Sequence, residues 1–245
     1  MFQLWQTRRH WEKLARTDPL WAVLTHPDKA GQRWRIDDFF ATGRDNVAAD
    51  LAAVRILHPG LRRRHALDFG CGVGRLTQAL AGNFDQVTGV DISTQMLAIA
   101  ELHNRHGPRV AYVHNARPDL ACFATGSFDF LYSLITLQHI PAQSALCYIG
   151  EFVRVLAPGG VALFQVPARS LETHRLSFYP PTVLKKLRRR LRHLFLLDPH
   201  MAMNAIPRET VTAILHAAGG RVLATVRADD TGASFESYRF VVTKP

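Results

Sequence analysis

The fold of this chain is decided by residues 65–77, which read His65-Ala66-Leu67-Asp68-Phe69-Gly70-Cys71-Gly72-Val73-Gly74-Arg75-Leu76-Thr77. A short apolar run breaks into three closely spaced glycines and then resumes as an amphipathic segment. The pattern predicts a buried strand, a tight turn and the start of a helix. Glycines have no Cβ to hold a ligand away from the backbone, and a helix start offers free N–H groups. We therefore expect a nucleotide-like cofactor to bind at this turn.

Outward from this turn, strand-like and helix-like stretches alternate, which is the pattern of a parallel sheet covered by helices. Strands are predicted at 65–69, 86–91, 109–114, 128–133 and 161–166, and two further β-rich runs, 221–227 and 234–243, predict a hairpin-like ending. Helices are predicted at about 74–82, 93–106, 142–156 and 208–218. We expect an α/β, Rossmann-like fold: a mostly parallel seven-stranded sheet with helices on both faces and an antiparallel last strand.

The chain has 245 residues, of which 47% are hydrophobic, and this is enough to bury the core of one large α/β domain. We expect a single domain made of an N-terminal helical lid (1–60), a cofactor-binding core (61–170), a basic helical insert or acceptor cap (171–206), and a final helix with strands (207–245). In the lid, Gly43 and Arg44 precede a helix predicted at about 45–58. Residues 37–45 are either a helix-to-helix turn or a segment over the cofactor site.

Composition excludes several classes of protein. The N-terminus has no apolar stretch of secretory length, and there is no run of about 18 apolar residues, so we expect a soluble, cytoplasmic protein. The three cysteines, Cys71, Cys122 and Cys147, are scattered, and the twelve histidines show no metal-binding spacing. We therefore expect neither a disulfide framework nor a metal site.

The spacing of the glycines separates the possible cofactors. A dinucleotide fingerprint requires a third glycine at the position of Arg75, and a phosphate-binding P-loop requires Lys and then Ser or Thr after Gly74. The chain meets neither requirement, which weakens both interpretations. What remains is a Gly-x-Gly-x-Gly turn with one acid, Asp68, just before it and another, Asp91, at the end of the following strand.

Here the chain resembles the class I S-adenosylmethionine-dependent methyltransferases, particularly the group that acts on small molecules. The motifs that carry the resemblance occur in the family's order at 67–74, 90–97, 127–130, 137–141 and 154–160, so that it covers about 65–166. The resemblance implies S-adenosyl-L-methionine as cofactor and S-adenosyl-L-homocysteine as product. It also implies methyl transfer to oxygen or nitrogen of a small or medium-sized acceptor, such as a glycan, a lipid-linked sugar or a secondary metabolite.

The resemblance further implies which residues contact the cofactor. Asp91 is expected to accept both ribose hydroxyls, through charge-assisted hydrogen bonds worth about 1.5–3 kcal/mol each, and its alternative role is a helix cap. Asp68 is expected to hold the N–H groups of the turn or the ammonium of the cofactor, and Ile92 and Met96 to contact the adenine. The glycine turn and the end of the fourth strand complete the set with Gly70, Cys71, Gly72, Gly74 and Ser133.

Three more residues are assigned roles on this basis. Where many relatives have an acid after strand three, this chain has Asn115, with Asp119 as the other candidate to meet the adenine amino group. Arg44 matches by position an arginine that some relatives bring from an N-terminal helix to the cofactor carboxylate. His139, directly after the fourth strand, is the candidate general base for the acceptor, and a packing role is its alternative.

Much of the formal charge of +10 comes from one segment. Residues 183–197 place leucines at helical spacing among six cations, which predicts an amphipathic basic helix. It is either a solvated surface helix, an acceptor cap, a contact with an anionic membrane surface or an RNA contact; the lack of interleaved aromatics disfavours RNA. We favour a cap that also touches an anionic membrane or a lipid-linked acceptor. An RNA methyltransferase and a non-catalytic S-adenosylmethionine-binding protein are the alternative functions.

Overall fold

A computed structural model of the chain describes residues 2–171, 201, 203–229 and 234–245. Its strands are β1 (His65–Phe69), β2 (Gln86–Asp91), β3 (Val110–His114), β4 (Phe128–Ser133), β5 (Leu156–Ser170), β6 (Arg221–Ala228) and β7 (Phe235–Thr243). Its α-helices are α1 (Phe2–Thr17), α2 (Pro19–Val23), α3 (Ile36–Leu57), α4 (Arg75–Leu80), α5 (Thr94–Leu102), α6 (Ala142–Val155) and α7 (Arg208–Ala217). Within these described ranges, three short 3₁₀ helices cover Pro27–Lys29, Gly107–Arg109 and Leu137–His139.

The strands form one sheet in the order β3-β2-β1-β4-β5-β7-β6. The first five strands along the chain are parallel, and β7 pairs antiparallel with both β5 and β6. The predicted Rossmann-like α/β fold with an antiparallel ending is confirmed. The strand order reverses beside β1, because β2 and β3 lie on one side of it and β4 on the other. In open α/β sheets, ligands bind at the carboxyl ends of the strands at such a reversal.

Most predicted elements occur within about two residues of their expected bounds, but the helix predicted at 93–106 ends at Leu102, and two other local predictions are wrong. The helix expected at about 45–58 begins at Ile36, so Gly43 lies in a helix interior and not in a turn. The strand expected at 161–166 runs from Leu156 to Ser170, because the intervening segment continues the strand through an irregular pairing with β4. The basic helix predicted at 183–197 lies outside the described residues.

Side chains on alternate residues of a strand point to opposite faces, and β1 therefore contributes to two cores. Leu67 and Phe69 belong to a cluster with residues of α6 and α7, whereas Ala66 belongs to a cluster with residues of α3 and α4. A third cluster packs the N-terminal helices against Val73, in the glycine turn, and Met96, in α5. The N-terminal region thus covers the turn on which the sequence predicts a cofactor site. In the part of the chain that is described, no helix is long and apolar enough to cross a membrane.

Gly43 is required by close packing between α3 and α4. A Cβ at this position would lie 2.4 Å from the carbonyl oxygen of Arg75, the first residue of α4. The buried guanidinium of Arg75 also donates to Thr42 Oγ1 at 3.1 Å and to Asn46 Oδ1 at 2.8 Å, both on α3. The helix that follows the glycine turn is therefore fixed to α3 by backbone contact and by hydrogen bonds.

Replacing Gly43 by alanine is expected to lower the free energy of unfolding by about 1–3 kcal/mol, because the added methyl group must push α3 away from the Arg75 carbonyl. Gly150→Ala is the matched control. Gly150 also lies inside a helix, but a Cβ there would meet only Ile214 Cγ2 at 3.9 Å, so we expect a neutral effect or a gain of about 0.4–1 kcal/mol. Urea denaturation measures both variants, and equal effects would contradict the close approach of α3 and α4.

Candidate functional site

A pocket lies at the carboxyl ends of β1, β2 and β4, where the strand order reverses, and α1 forms part of its wall. It encloses about 720 Å³ of space, part of it open to solvent. Its walls come from the N-terminal helices, the glycine turn, α6 and the segments after β2, β3 and β4: Leu4, Thr7, Trp11, Val23, Phe69, Gly70, Gly72, Val90, Asp91, Ile92, Asn115, Leu134, Ile135, Thr136, Ile140 and Tyr148.

The glycine turn presents its backbone to this pocket. Gly70 and Gly72 have φ angles of +74° and +53°, a region that glycine enters without a steric penalty. The amides of Gly70 and Cys71 both donate to the Val90 carbonyl at the end of β2, at 2.8 and 3.1 Å. A Cβ on Gly72 would lie 2.7 Å from Val23 Cγ2 of α2. The shape of the turn and the close packing around it therefore both require glycine.

Asp91, the last residue of β2, is one of the residues that line the pocket. Its Oδ2 accepts the Gly72 N–H at 2.9 Å and its Oδ1 accepts the Ser93 N–H at 2.8 Å. Burial raises the pKa of Asp91, and the N–H groups of Ser93 and Gly72 oppose that rise. The cap of α5 is Ser93, whose Oγ accepts the Met96 N–H at 3.2 Å. Asp91 thus joins the glycine turn to the start of α5 rather than capping that helix.

The residues around Asp91 fit the cofactor that the resemblance implies. An ionised carboxylate has about four acceptor positions, so each oxygen of Asp91 retains capacity for one of two neighbouring ribose hydroxyls. The apolar side chains of Val90 and Ile92 line the pocket on either side of Asp91 and suit the flat face of a purine. Because Gly70 and Gly72 have no Cβ, Thr136 and Val23 pack directly against the turn. S-adenosylmethionine contains both a ribose with two neighbouring hydroxyls and a purine.

Of the two candidates for the adenine contact, the structure brings Asn115 to the pocket and not Asp119. The Asn115 Nδ2 donates to the Asp119 carbonyl at 2.6 Å, and its Oδ1 accepts the Arg117 N–H at 3.0 Å. The Asp119 carboxylate instead forms an ion pair with the Arg117 guanidinium at 3.0 Å. These bonds within the loop after β3 fix the amide of Asn115 at the pocket wall.

Three predicted site residues lie behind the glycine turn instead of in the pocket wall. Asp68 is buried and accepts the Thr77 hydroxyl of α4 at 2.6 Å, so its partner is a side chain and not the N–H groups of the turn. The Cys71 Sγ lies only 2.9 Å from the position that a Gly89 Cβ would occupy, beneath the turn. A Cβ on Gly74 would lie 2.3 Å from the Tyr112 hydroxyl oxygen. Strand alternation explains Asp68, because it shares the α4-facing side of β1 with Ala66.

Three more predicted contacts are also absent from the pocket wall. Met96 is buried in the cluster formed by the N-terminal helices, and the Ser133 hydroxyl donates to the Phe69 carbonyl at 2.9 Å, tying β4 to β1. Arg44 lies exposed on α3. Its neighbour Gly43 faces α4, and one residue turns a helix by about 100°, so the Arg44 side chain is directed away from that contact. The buried guanidinium near this part of α3 belongs to Arg75.

His139 lies beside the pocket without lining it. Its ring contacts the Trp11 ring edge-on, with 5.4 Å between centroids, and its Nε2 is 3.2 Å from the Gln138 Nε2. Trp11, which contacts the His139 ring, and Ile140, the next residue in the chain, both line the pocket. The side-chain amide of Asn204 donates to the Ile140 carbonyl at 3.0 Å and thereby holds this loop.

Sequence reasoning did not find the contribution of α1, although it predicted a lid somewhere in 1–60. Leu4, Thr7 and Trp11 recur at helical spacing on one face and line the pocket, so the spacing was a usable signal. From the same helix, Glu12 Oε1 accepts the N–H and the hydroxyl of Thr94 at 2.9 and 3.0 Å, at the start of α5. A carboxylate at a helix N-terminus is favourable, and this contact docks α1 over the site.

Residues 66–160 match the family described as methyltransferase domain. The chain is 32% identical over 130 residues to a ubiquinone biosynthesis O-methyltransferase of Burkholderia orbicola, which covers 51% of this chain and 55% of that protein. It is 34% identical over 139 residues to the protein of the same name from Methylococcus capsulatus, covering 56% and 58%. The matched part therefore spans little more than half the length of these relatives.

Solved structures share the fold. The magnesium protoporphyrin IX methyltransferase of Synechocystis, crystallised with bound S-adenosylhomocysteine, superposes with a TM-score of 0.63 at 18% identity over 97% of this chain and 98% of that one. A second structure, the [4+2]-cyclase SpnF, gives a TM-score of 0.57 at 18% identity over 79% of each chain. At these identities the likeness establishes the fold.

The pH dependence of folding is expected to carry a contribution from Asp68, because burial raises the pKa of its carboxyl group to about 7. An unfolded chain releases this proton near pH 4, so between pH 4 and pH 7 the folded protein binds more protons and its stability falls as the pH rises. The advantage in unfolding free energy of the wild type over Asp68→Asn should therefore decrease by about 2 kcal/mol between pH 5 and pH 8. Denaturation at both pH values measures this change, with the exposed Asp45→Asn as control. A difference that does not vary with pH would contradict the raised pKa.

Proposed function

We propose that this chain, which carries a class I S-adenosylmethionine-dependent methyltransferase domain, transfers a methyl group to an oxygen or nitrogen of a small or medium-sized acceptor. One observation carries the proposal. Asp91 lines a pocket at the reversal of the strand order, and its carboxyl group is fixed by two backbone N–H groups while retaining acceptor positions for a ribose diol. The match to the methyltransferase domain covers 66–160, and this range includes Asp91 and both residues whose N–H groups it accepts.

The chain's own residues would bind the cofactor in parts. Asp91 would accept the ribose hydroxyls, Val90 and Ile92 would enclose the adenine, and Asn115 would meet the adenine edge. The backbone of Gly70 and Gly72 would pass beneath the methionine portion. When bound, S-adenosylmethionine supplies a methyl group on a positively charged sulfur. The protein must then align the acceptor and exclude water. Alignment of this kind corresponds to an effective concentration of about 10⁵–10⁸ M in well-oriented systems.

The acceptor would lie on the side of the pocket formed by Leu4, Trp11 and Ile140. These side chains are apolar, with the Thr7 hydroxyl among them, so the wall suits an acceptor that has an apolar body and a polar reacting group. The relatives named as O-methyltransferases favour oxygen as the first atom to test. We propose that residues 171–206 cap this side and that 183–197 contact an anionic membrane surface. Sedimentation with anionic vesicles tests that contact.

His139 remains our proposed general base. The Trp11 ring fixes the imidazole at the edge of the acceptor side, and the neighbouring Ile140 belongs to the pocket wall. As a general base, His139 would take the proton of an acceptor hydroxyl or amine. The alternative is a packing role in which His139 only supports Trp11, and the two roles differ in what happens to turnover and to cofactor binding.

Asp91→Ala is expected to raise the dissociation constant for S-adenosylhomocysteine at least about tenfold, because charge-assisted bonds to the ribose are lost. Isothermal titration calorimetry measures the constant. Asp37→Ala, which removes an exposed carboxylate of α3, is the control and should bind as the wild type does. Because Asp91 also holds Gly72, a melting curve must establish that the variant is folded. Wild-type affinity in folded Asp91→Ala would refute the proposed site.

His139→Ala is expected to reduce turnover about 10²–10⁴-fold while leaving the affinity for S-adenosylhomocysteine unchanged, since a base acts on the acceptor. The acceptor is first found by a mass-spectrometric search of host extract for products heavier by CH₂. His139→Gln serves as the matched control, because it retains a polar side chain against Trp11 but provides no base. Normal turnover in both variants would show that His139 is not a base. If the wild type binds the cofactor tightly but shows no turnover, a non-catalytic binding protein is favoured instead.

A further inference from the structure

The loop after β4 contains a backbone conformation that its sequence disfavours. Ile135 has a φ of +57°, and among the described residues only Gln32 shares a positive φ without being glycine. A left-handed backbone is unfavourable for a β-branched side chain, which makes Ile135 an outlier. Its neighbours Leu134 and Thr136 line the pocket, as Ile135 itself does. A strained residue at a pocket wall calls for a group that holds it there.

That group is the side chain of Gln165, in β5. Its Oε1 accepts the Ile135 N–H at 3.0 Å, and its Nε2 donates to the Ser237 Oγ of β7 at 2.6 Å. The Ser237 hydroxyl in turn donates to the Val166 carbonyl at 3.3 Å, which leaves its oxygen free to accept from the amide. Gln165 and Ser237 have no exposed surface. The amide is thus fixed at both ends, and burial makes loss of either bond costly.

The conformation of Ile135 also determines how the loop meets the glycine turn. The Thr136 hydroxyl is 3.3 Å from the Gly70 carbonyl oxygen and 3.1 Å from that of Leu134, and it donates toward them. The methyl carbon of Thr136 lies 2.1 Å from the position that a Gly70 Cβ would occupy. The loop is therefore in direct contact with the turn. If Ile135 relaxed to an ordinary backbone conformation, Thr136 would leave this contact and the pocket wall would move.

We propose that Gln165 is a positioning residue: by accepting the Ile135 N–H, its buried amide holds Ile135 in the left-handed conformation that presses Thr136 against the glycine turn and completes the cofactor-binding wall. Gln165 is not itself part of the pocket wall, so it acts through the loop. The inference rests on the proposed function, in that the ligand of this wall is S-adenosylmethionine or its product.

A double-mutant cycle tests the proposal. Gln165→Met keeps the length of the side chain but removes the amide, and we expect the dissociation constant for S-adenosylhomocysteine, measured by calorimetry, to rise about tenfold. Ile135→Asn supplies a residue that tolerates positive φ, so it should need the amide much less. In the Ile135→Asn background, Gln165→Met should raise the constant less than about threefold. Such non-additivity indicates that Gln165 acts through the conformation of Ile135.

Amide hydrogen exchange without any ligand provides the second readout. The Ile135 amide should exchange at least about tenfold faster in Gln165→Met than in the wild type, because its acceptor is gone. Ser237→Ala leaves Gln165 in place but removes the partner of its Nε2. We expect it to raise the dissociation constant and the Ile135 exchange rate, each by less than Gln165→Met does. If Gln165→Met does not fold, Ser237→Ala takes its place in both measurements. Equal losses of affinity in both Ile135 backgrounds, or unchanged exchange, would overturn the proposal. If the wild type does not bind S-adenosylhomocysteine, the proposed function fails, while the exchange rates still decide whether Gln165 holds Ile135.

Discussion

Two backbone amides converge on the carboxyl group of Asp91, and the rest of the site depends on this convergence. The Gly72 N–H fixes the glycine turn to the end of β2, and the Ser93 N–H fixes the start of α5 to the same point. Because the strand order reverses beside β1, the connections on its two sides diverge and leave a crevice at these strand ends. A single acid thereby shapes the turn and offers acceptor positions to a ligand.

The pocket above Asp91 is completed by parts of the chain that are far from it in sequence. Helix α1 contributes an apolar face, and its Glu12 bonds to the start of α5, directly after the Asp91 segment. On the opposite side, the loop after β4 rests against Gly70 through Thr136. Both walls therefore contact the elements that Asp91 organises.

Polar groups behind the turn have a different task from those in the pocket. Asp68 and Thr77 join β1 to α4, and Arg75 joins α4 to α3. Burial makes such groups costly unless they are hydrogen-bonded, and a bond across two elements fixes their relative position. This explains why the acid closest to the glycine turn in sequence supports the turn, whereas the acid at the end of the next strand meets the pocket.

The sequence by itself determined the alternation of strands and helices, the glycine turn, the strand-end position of Asp91 and the class of fold, because these follow from local periodicity and from the conformations that glycine permits. Tertiary packing was needed to establish that α1 lines the pocket, that Arg44 lies exposed on α3, that Asp68 lies behind the turn and that Gln165 accepts the Ile135 N–H. These features depend on which faces of distant segments meet. A positive φ at a β-branched residue has no local cause, since it exists only because a buried amide from another strand accepts its N–H.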